Sequence, residues 1–383
     1  MTQCSNISEF AVDIADASLE DLRSRLNNAR WPEPEPVDDW SMGTPLGYLQ
    51  SLCQYWANEY DGQRIAMRLN QWPQFVADID DVKVHFLHIR SSHADAPALV
   101  MTHGWPGSVV EFLKVIEAFT EPERHGGTSA DAFHLVIPAL PGFGFSTQPT
   151  VTGWSIEKIA DAWSALMKAL GYDAFYAQGG DWGSGVTTAI GTRHPDRCLG
   201  IHTNMPIVAP AGKLLEDLTP FEEDALKGRK FYRDWDSGYS KQQSTRPQSV
   251  GYGLVDSPVG LAGWIIEKFY QWTDCDGHPE NVLTRDELLD NLMMYWLPAT
   301  GASSARLYWE SFGRGEYKPV QVPSGASIFP KEIFKSSERW VRSRYVNLQY
   351  FNVLETGGHF AALEQPALFV AEVRAAFRAI RDA

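Results

Sequence analysis

Residues Gly179-Gly180-Asp181-Trp182-Gly183 have the spacing of a nucleophile elbow, with a glycine two positions on either side of the central residue. Such an elbow is a tight strand-to-helix turn that lifts its central side chain above the end of a parallel sheet. The central residue here is a carboxylate, which is anionic at neutral pH and needs no base to activate it. A carboxylate is suited to attack an sp³ carbon that carries a leaving oxygen or halide. That attack gives an ester, which water must then cleave.

The flanking sequence favours the elbow. Residues 174–178 have the composition of a short buried strand, and residues 186–193 predict a helix that ends before His194 and Pro195. A strand, an elbow and a helix in this order are the context that the motif requires. The alternative is an ordinary loop, because Asp is common in glycine-rich turns and caps helices.

The rest of the chain alternates between strand and helix patterns. We expect strands at 75–79, 82–89, 97–102, 133–139, 326–329 and 345–354, and helices at 18–30, 45–70, 155–170, 336–343 and 366–380. This alternation predicts an α/β fold with a doubly wound, mostly parallel sheet. It stops after about residue 205, where helical periodicity rich in Trp and Tyr takes over. We therefore predict an N-terminal helical region (1–75), a first core part (76–206), an inserted helical cap (207–320) and a second core part (321–383).

Composition excludes several classes of partner. The formal net charge of −15 argues against binding to nucleic acid or to anionic membrane surfaces. The 4 cysteines are scattered without zinc spacing, so we expect reduced thiols in a cytoplasmic protein. We find no signal peptide and no apolar run of about 18 residues that would span a membrane. Neither a metal nor a cofactor is expected.

An ester on Asp181 requires an activated water, and therefore a base with a group that orients it. His359 lies in Gly357-Gly358-His359-Phe360, between the last predicted strand and the last helix, which is where this topology needs its base. A loop histidine without a role is the alternative. Glu332 follows the preceding strand and is the candidate acid partner. It could instead be a solvated charge at a helix start, while Glu338 lies further along that helix and is disfavoured.

Opening of an epoxide develops an alkoxide, which a positioned hydroxyl can protonate or stabilise. The predicted cap offers several tyrosines, among which the residues themselves do not decide: Tyr252, Tyr270, Tyr295 and Tyr308. Most aromatic side chains in a helical cap simply pack its core. The backbone N–H groups of Trp105 and Trp182 are candidates for an oxyanion hole that serves ester hydrolysis.

Seven segments in chain order resemble the microsomal-type epoxide hydrolases that carry an extra N-terminal region. They are Arg30-Trp31-Pro32, Leu69-Asn70-Gln71-Trp72-Pro73-Gln74-Phe75, His103-Gly104-Trp105-Pro106-Gly107-Ser108, Gly180-Asp181-Trp182-Gly183-Ser184, Asp256-Ser257-Pro258-Val259-Gly260-Leu261, Phe329-Pro330-Lys331-Glu332 and Gly357-Gly358-His359-Phe360. Together they span residues 30–360. The resemblance implies an α/β-hydrolase fold and the hydrolysis of an epoxide to a vicinal diol.

The resemblance also implies roles for individual residues. Asp181 would be the nucleophile, His359 the base, Glu332 its acid partner and Tyr308 the proton donor. A second cap tyrosine of the family would fall where this chain has Trp264. An indole donates a hydrogen bond but is a poor proton donor, so Tyr308 would act largely alone.

We expect the substrate pocket between the sheet edge and the cap to be lined by Trp105, Phe143, Trp182, Trp264 and Phe360, which favours bulky apolar or aryl epoxides. One alternative is a haloalkane dehalogenase, which also uses an Asp elbow. Another is a non-catalytic ligand-binding protein of the same fold. Detoxification and biosynthesis of natural products are both compatible with this chemistry, as is assembly into a homodimer.

Overall fold

The computed structural model describes residues 2–383, and the strands in that range form one mixed sheet. These strands are β1 (Cys4–Phe10), β2 (Gln74–Ile79), β3 (Val82–Ile89), β4 (Ala98–Thr102), β5 (His134–Pro138), β6 (Phe175–Gly179), β7 (Cys198–Thr203), β8 (Ser324–Ile328) and β9 (Leu348–Val353). Their spatial order is β1-β2-β3-β5-β4-β6-β7-β8-β9.

The sheet is parallel from β5 through β4 to β9, and antiparallel from β1 to β5. This confirms the predicted doubly wound, mostly parallel architecture. The chain leaves β4 for β5 on one side and returns to β6 on the other, so the strand order reverses beside β4. Ligands of open α/β sheets bind in the crevice outside the carboxyl ends of the strands at such a point. Here that point lies between Thr102 and Gly179, which pair at the ends of β4 and β6.

Helices cover both faces of the sheet, and β4, β5, β6 and β8 are buried along their whole length. Both faces must be apolar in such strands, which explains their continuous apolar or small-residue runs. The helices are α1 (Asp16–Asn27), α2 (Leu46–Asn58), α3 (Arg64–Leu69), α4 (Ile116–Thr120), α5 (Ile156–Ala169), α6 (Asp181–Arg193), α7 (Pro220–Phe231), α8 (Gly238–Thr245), α9 (Pro247–Asp256), α10 (Pro258–Trp272), α11 (Arg285–Trp296), α12 (Gly301–Ser311), α13 (Glu338–Arg342), α14 (Ala361–Glu364) and α15 (Pro366–Arg381). None of the helices within residues 2–383 is long and apolar enough to cross a membrane.

Helices α7 to α12 lie between β7 and β8, in the stretch where the cap is expected. Two of them begin with a capping box, in which the N-cap Thr219 or Thr284 and the third helical residue bond reciprocally to each other's backbone N–H. Between α7 and α8 the backbone forms a π-helical turn, Tyr232–Asp236. Turns of this kind are frequent at functional sites. The division into four domains stays a prediction.

The N-terminal region differs from the expected helical one. Its first element is β1, which pairs antiparallel with β2 at the sheet edge and shifts register between Ser5 and Ser8. Only part of β1 is covered, so its residues alternate weakly and the sequence pattern does not reveal a strand. The helix expected at 45–70 is two helices, interrupted around Gly62. Helices α1 to α3 pack against α10 and α11 of the cap, where the Tyr60 hydroxyl donates to Asp290 Oδ1 at 2.7 Å.

Candidate active site

The elbow is formed as the sequence predicts, because β6 ends at Gly179 and α6 begins at Asp181. Asp181 has a φ of 49°, a left-handed conformation that is rare and strained for a residue with a side chain. A Cβ on Gly179 would lie 2.3 Å from the carbonyl oxygen of Gly183, and one on Gly183 would lie 1.9 Å from that of Thr102. Both glycines are therefore required by close backbone approach, which is the physical basis of the motif.

The loop after β4 closes over the Asp181 carboxylate. The backbone N–H of Trp105 donates to Asp181 Oδ1 at 2.8 Å, and a Cβ on Gly104 would lie 2.2 Å from the same oxygen. The following Trp105–Pro106 peptide bond is cis. One oxygen of the carboxylate is thus fixed by a backbone donor, and that donor lies where an oxyanion formed at the Asp181 carbonyl would need it.

His359 lies between the carboxylates of Asp181 and Glu332. Its Nδ1 lies 2.6 Å from Glu332 Oε1, and its Nε2 lies 3.5 Å from Asp181 Oδ2. Both His359 and Glu332 are buried. The loop that carries His359 is held by the cap, since the backbone N–H of His359 donates to the carbonyl of Trp272 at 2.8 Å. The three residues that the sequence predicts to work together are therefore adjacent, although they are far apart in the chain.

Burial alone would lower the pKa of His359, but the Glu332 and Asp181 carboxylates outweigh it and raise this pKa well above its ordinary value. The imidazolium form is therefore favoured while Asp181 is a free carboxylate. Conversion of Asp181 to a neutral ester would remove one of these two stabilising charges. The imidazole would then lose its proton more readily, at the stage when a base is required.

Asp181 lines two cavities. The large cavity has a volume of about 440 Å³ and reaches Trp182, Tyr232, Tyr239 and Tyr308. The small cavity has a volume of about 20 Å³. Its remaining polar side chains belong to Glu111, Asn204 and His359, and Trp105 and Phe360 supply aromatic lining.

Two phenols of the helices between β7 and β8 line the large cavity together with Asp181. The Tyr308 hydroxyl is buried and has no hydrogen-bond partner among residues 2–383. Tyr239 stacks on Trp105 with ring centroids 4.8 Å apart, and its hydroxyl lies 3.1 Å from that of Tyr232. Burial raises the pKa of both Tyr239 and Tyr308 well above 10, so each phenol keeps its proton at neutral pH. Both are therefore positioned as hydrogen-bond donors.

Two residues expected in the pocket lie elsewhere. Trp264 lines neither of the two cavities, and its indole N–H donates to Gln243 Oε1 at 2.9 Å. Phe143 is buried against His103 and Tyr295 and also lines neither cavity. The physical reason is the same for both residues. A large aromatic side chain can be buried either in the wall of a cavity or in the core behind that wall, and the sequence does not distinguish the two. Of the other expected residues, Trp182 borders the large cavity, while Trp105 and Phe360 border the small one.

The sequence argument missed Tyr239 and Glu111. Tyr239 lies on α8, just after the π-helical turn, where no motif marks it. It lines the large cavity together with Asp181, whereas the family resemblance implied a second cap tyrosine in the segment that contains Trp264. Glu111 lies three residues beyond Ser108, in a 3₁₀ turn that no sequence motif marks. The pattern of apolar and polar residues along the chain does not reveal either residue, because both side chains make their contacts with residues of other helices, strands and loops.

Comparison with known proteins agrees with the geometry. The family described as "Epoxide hydrolase N terminus" matches residues 7–112, and the family described as "alpha/beta hydrolase fold" matches residues 97–252. A Stigmatella aurantiaca protein provisionally named an epoxide hydrolase is 49% identical over 98% of this chain and 86% of its own. Epoxide hydrolase 1 of Sus scrofa is 35% identical over 96% of this chain and 88% of its own.

A solved structure gives the same result in three dimensions. The juvenile hormone epoxide hydrolase from the silkworm Bombyx mori superposes with a TM-score of 0.92 at 32% identity, covering 99% of this chain and 95% of that one. The likeness extends over the N-terminal region, the core and the cap together. By its sequence, its fold and the residues around its nucleophile elbow, the chain belongs to the epoxide hydrolase family of α/β-hydrolases.

Proposed function

We propose that this epoxide hydrolase converts an apolar or aryl epoxide to a vicinal diol through an ester on Asp181. One observation carries the proposal: Asp181 lines both the large cavity, which the tyrosines also line, and the small cavity, which His359 also lines. A substrate and a water can therefore approach the same carboxyl group from different cavities. This separation suits a reaction in two steps with one covalent intermediate.

In the first step, a carboxylate oxygen of Asp181 attacks an epoxide carbon from the large cavity. The carbon–oxygen bond of the epoxide breaks, and the departing oxygen takes a proton from Tyr308 or Tyr239. An alkoxide is a far stronger base than a phenolate, so this transfer is favourable even for phenols whose pKa burial has raised. In contrast to the expectation that Tyr308 acts largely alone, Tyr239 supplies a second phenol.

The proton of the His359 imidazolium first passes to the phenolate through solvent, which restores the tyrosine and leaves a neutral imidazole. In the second step, this imidazole takes a proton from a water in the small cavity, and the water oxygen attacks the carbonyl carbon of the ester. The N–H of Trp105, 2.8 Å from Asp181 Oδ1, would stabilise the oxyanion that forms. The ester bond then breaks, the diol oxygen takes the proton that His359 removed from the water, and His359 then accepts the proton of the remaining Asp181 carboxyl group. Over the whole cycle one water is added to the epoxide, and the pair of Asp181 and His359 is restored.

The large cavity supports the assignment of substrate class. Its volume of about 440 Å³ lies within the range of about 300–1,000 Å³ that is typical of small-molecule sites. Beyond the nucleophile it is bordered by Ile156, Met205, Val208, Phe312 and Phe334. Apolar walls of this kind favour an aryl or branched alkyl group beside the epoxide. A role in detoxification, a cytoplasmic location and a homodimer stay predictions.

Intact-protein mass spectrometry of the His359→Gln variant mixed with styrene oxide tests the proposal. The variant keeps the nucleophile but lacks the base, so we expect an adduct of one substrate mass on the peptide that contains Asp181. His125→Gln is the matched control, because His125 is exposed and far from both cavities. It should form diol at the wild-type rate without accumulating an adduct.

Turnover by His359→Gln at the wild-type rate would contradict the mechanism. Failure of the wild type to form diol, together with release of chloride from a chloroalkane, would favour the haloalkane dehalogenase. That alternative would use the Trp182 indole N–H, which is buried without a hydrogen-bond partner among residues 2–383, to bind the halide.

A further inference from the structure

The small cavity contains a carboxyl group that the two-step mechanism does not use. Glu111 lies in a 3₁₀ turn directly after the loop that closes over Asp181. Its carboxyl group reaches back over Gly107, so that a Cβ on Gly107 would lie 1.4 Å from Glu111 Oε1. It thereby lines the same small cavity as Asp181 and His359. No Lys, Arg or His within residues 2–383 forms an ion pair with it.

The size and polarity of the small cavity suit one water molecule. A cavity needs about 10–15 Å³ to hold a water and should offer two to four polar partners. The volume here is about 20 Å³, and Glu111, Asp181, Asn204 and His359 supply the polar side chains. A substrate does not fit in this volume. A water bound there would lie beside both the base and the carboxyl group on which the ester forms.

Building on the proposed function, we propose that Glu111 binds the water that hydrolyses the Asp181 ester, and so orients it for attack. A water donates two hydrogen bonds and accepts two. One hydrogen must point at His359, so another partner is needed to fix the oxygen relative to the ester carbonyl. Two polar side chains of the cavity remain besides Asp181 and His359, namely Asn204 and Glu111. The Asn204 amide already contacts Glu332 at 3.5 Å, so Glu111 is the better candidate.

The protonation state of Glu111 fits this role. Burial raises its pKa to about 8, the Asp181 carboxylate adds to the rise, and His359 and the Ser108 backbone N–H oppose it. The side chain is therefore largely a neutral carboxyl group at neutral pH and adds no third negative charge next to Asp181 and Glu332. A carboxyl group in this state offers the water a carbonyl oxygen as acceptor and an O–H group as donor.

The competing explanation is structural. Glu111 is the third residue of its turn, and the backbone N–H of Ser108 at the start of that turn lowers its pKa, as in a capping interaction. If Glu111 only caps this turn, removal of its carboxyl group should lower the stability of the protein but leave the rates of both chemical steps unchanged. The proposed role predicts that the second step slows selectively.

Rapid-quench mass spectrometry of wild type, Glu111→Gln and Glu111→Leu with styrene oxide separates these cases. It measures the rate at which the Asp181 ester forms and the rate at which it disappears. Glu111→Gln keeps an amide oxygen that can accept from the water, so its ester hydrolysis should be slowed less than that of Glu111→Leu. For Glu111→Leu we expect ester formation within about threefold of wild type, and ester hydrolysis slower by about tenfold or more, since a lost hydrogen bond of about 1.4 kcal/mol corresponds to tenfold. The ester should therefore accumulate in the steady state.

Glu111→Leu guards against a folding artefact, because an apolar side chain of similar size in a site without a cation partner is well tolerated. Glu117→Gln is the matched control, since Glu117 is exposed on the neighbouring helix α4. Ester hydrolysis at the wild-type rate in Glu111→Leu would overturn the inference, as would an equal slowing of both steps in that variant. Those results are distinct from failure of the proposed function, in which wild type and Glu117→Gln would themselves form no ester and no diol.

Discussion

Nδ1 of His359 lies 2.6 Å from Oε1 of Glu332, and both side chains are buried. A contact of this length to a carboxylate assigns the proton to Nδ1 and leaves Nε2 directed at Asp181. The orientation of the His359 ring is therefore set by Glu332. The charge of Glu332 also contributes to the raised pKa of the ring.

Glu332→Gln should move the pH dependence of ester hydrolysis. The base works as the neutral imidazole, so the rate rises as pH rises through the pKa of His359. Removal of the Glu332 charge lowers that pKa, and the acidic limb should therefore shift to lower pH. The maximal rate should fall by about 10²-fold because the ring is no longer oriented. The measurement is the decay of preformed ester between about pH 5 and about pH 9.

Glu338→Gln is the control for this experiment, because Glu338 is a similar carboxylate on α13 that pairs with Arg342 at the surface. Glu338→Gln should leave unchanged both the pH of the acidic limb and the maximal rate of ester hydrolysis. If the acidic limb of the pH profile of Glu332→Gln stays at the wild-type pH, a group other than Glu332 sets the pKa of His359.

A single turnover in water labelled with ¹⁸O should label the protein and not the diol. In the proposed second step water attacks the carbonyl carbon of the ester, so its oxygen stays in the Asp181 carboxyl group. Digestion and mass spectrometry of the peptide containing Asp181 would detect the label. Label found in the diol after one turnover would instead indicate direct attack of water on the epoxide, with Asp181 acting as a base.

Tyr308→Phe and Tyr239→Phe should each slow ester formation by about 10²-fold, and the double variant by more, because a proton donor contributes about 10²–10⁴-fold. Ester hydrolysis should be unaffected, since both phenols lie on the large-cavity side of Asp181. Stopped-flow single turnovers would measure the first step. Tyr252→Phe is the control, because Tyr252 is an exposed tyrosine of the same cap. Ester formation at the wild-type rate in Tyr308→Phe would refute its role as donor.

Gly183→Ala should destabilise the protein by at least about 2 kcal/mol, since the new Cβ would lie 1.9 Å from the Thr102 carbonyl oxygen and force the elbow away from β4. Gly228→Ala is the opposite case, because Gly228 lies within α7 and a Cβ there meets nothing within 4 Å. It should stabilise by about 0.5–1 kcal/mol. Denaturant titration measures both. Equal effects of the two substitutions would mean that the elbow is not tightly packed.

Much of the site could be predicted because it is encoded locally. The elbow is recognisable from glycines at fixed spacing, each demanded by a backbone atom less than 2.5 Å from its missing Cβ. Glu332 and His359 follow successive parallel strands, and strand ends of a parallel sheet converge on one edge. Predictions about the cap were weaker. Trp264 and Phe143 were expected to line the pocket. Sequence periodicity indicates which residues are buried, but it does not indicate whether they line a cavity or pack in the core behind it.

The sequence by itself determined the α/β alternation, the carboxylate at the elbow, the placing of Glu332 and His359 after successive strands, and the helical stretch between β7 and β8. These follow from local periodicity, turn chemistry and the order of strands. Only the tertiary structure decided that Tyr239 faces Asp181, that β1 pairs at the sheet edge, and that Glu111 shares a water-sized cavity with His359. The reason is that each of these contacts joins elements far apart in the chain. Their packing, rather than any local pattern, fixes the distances between them.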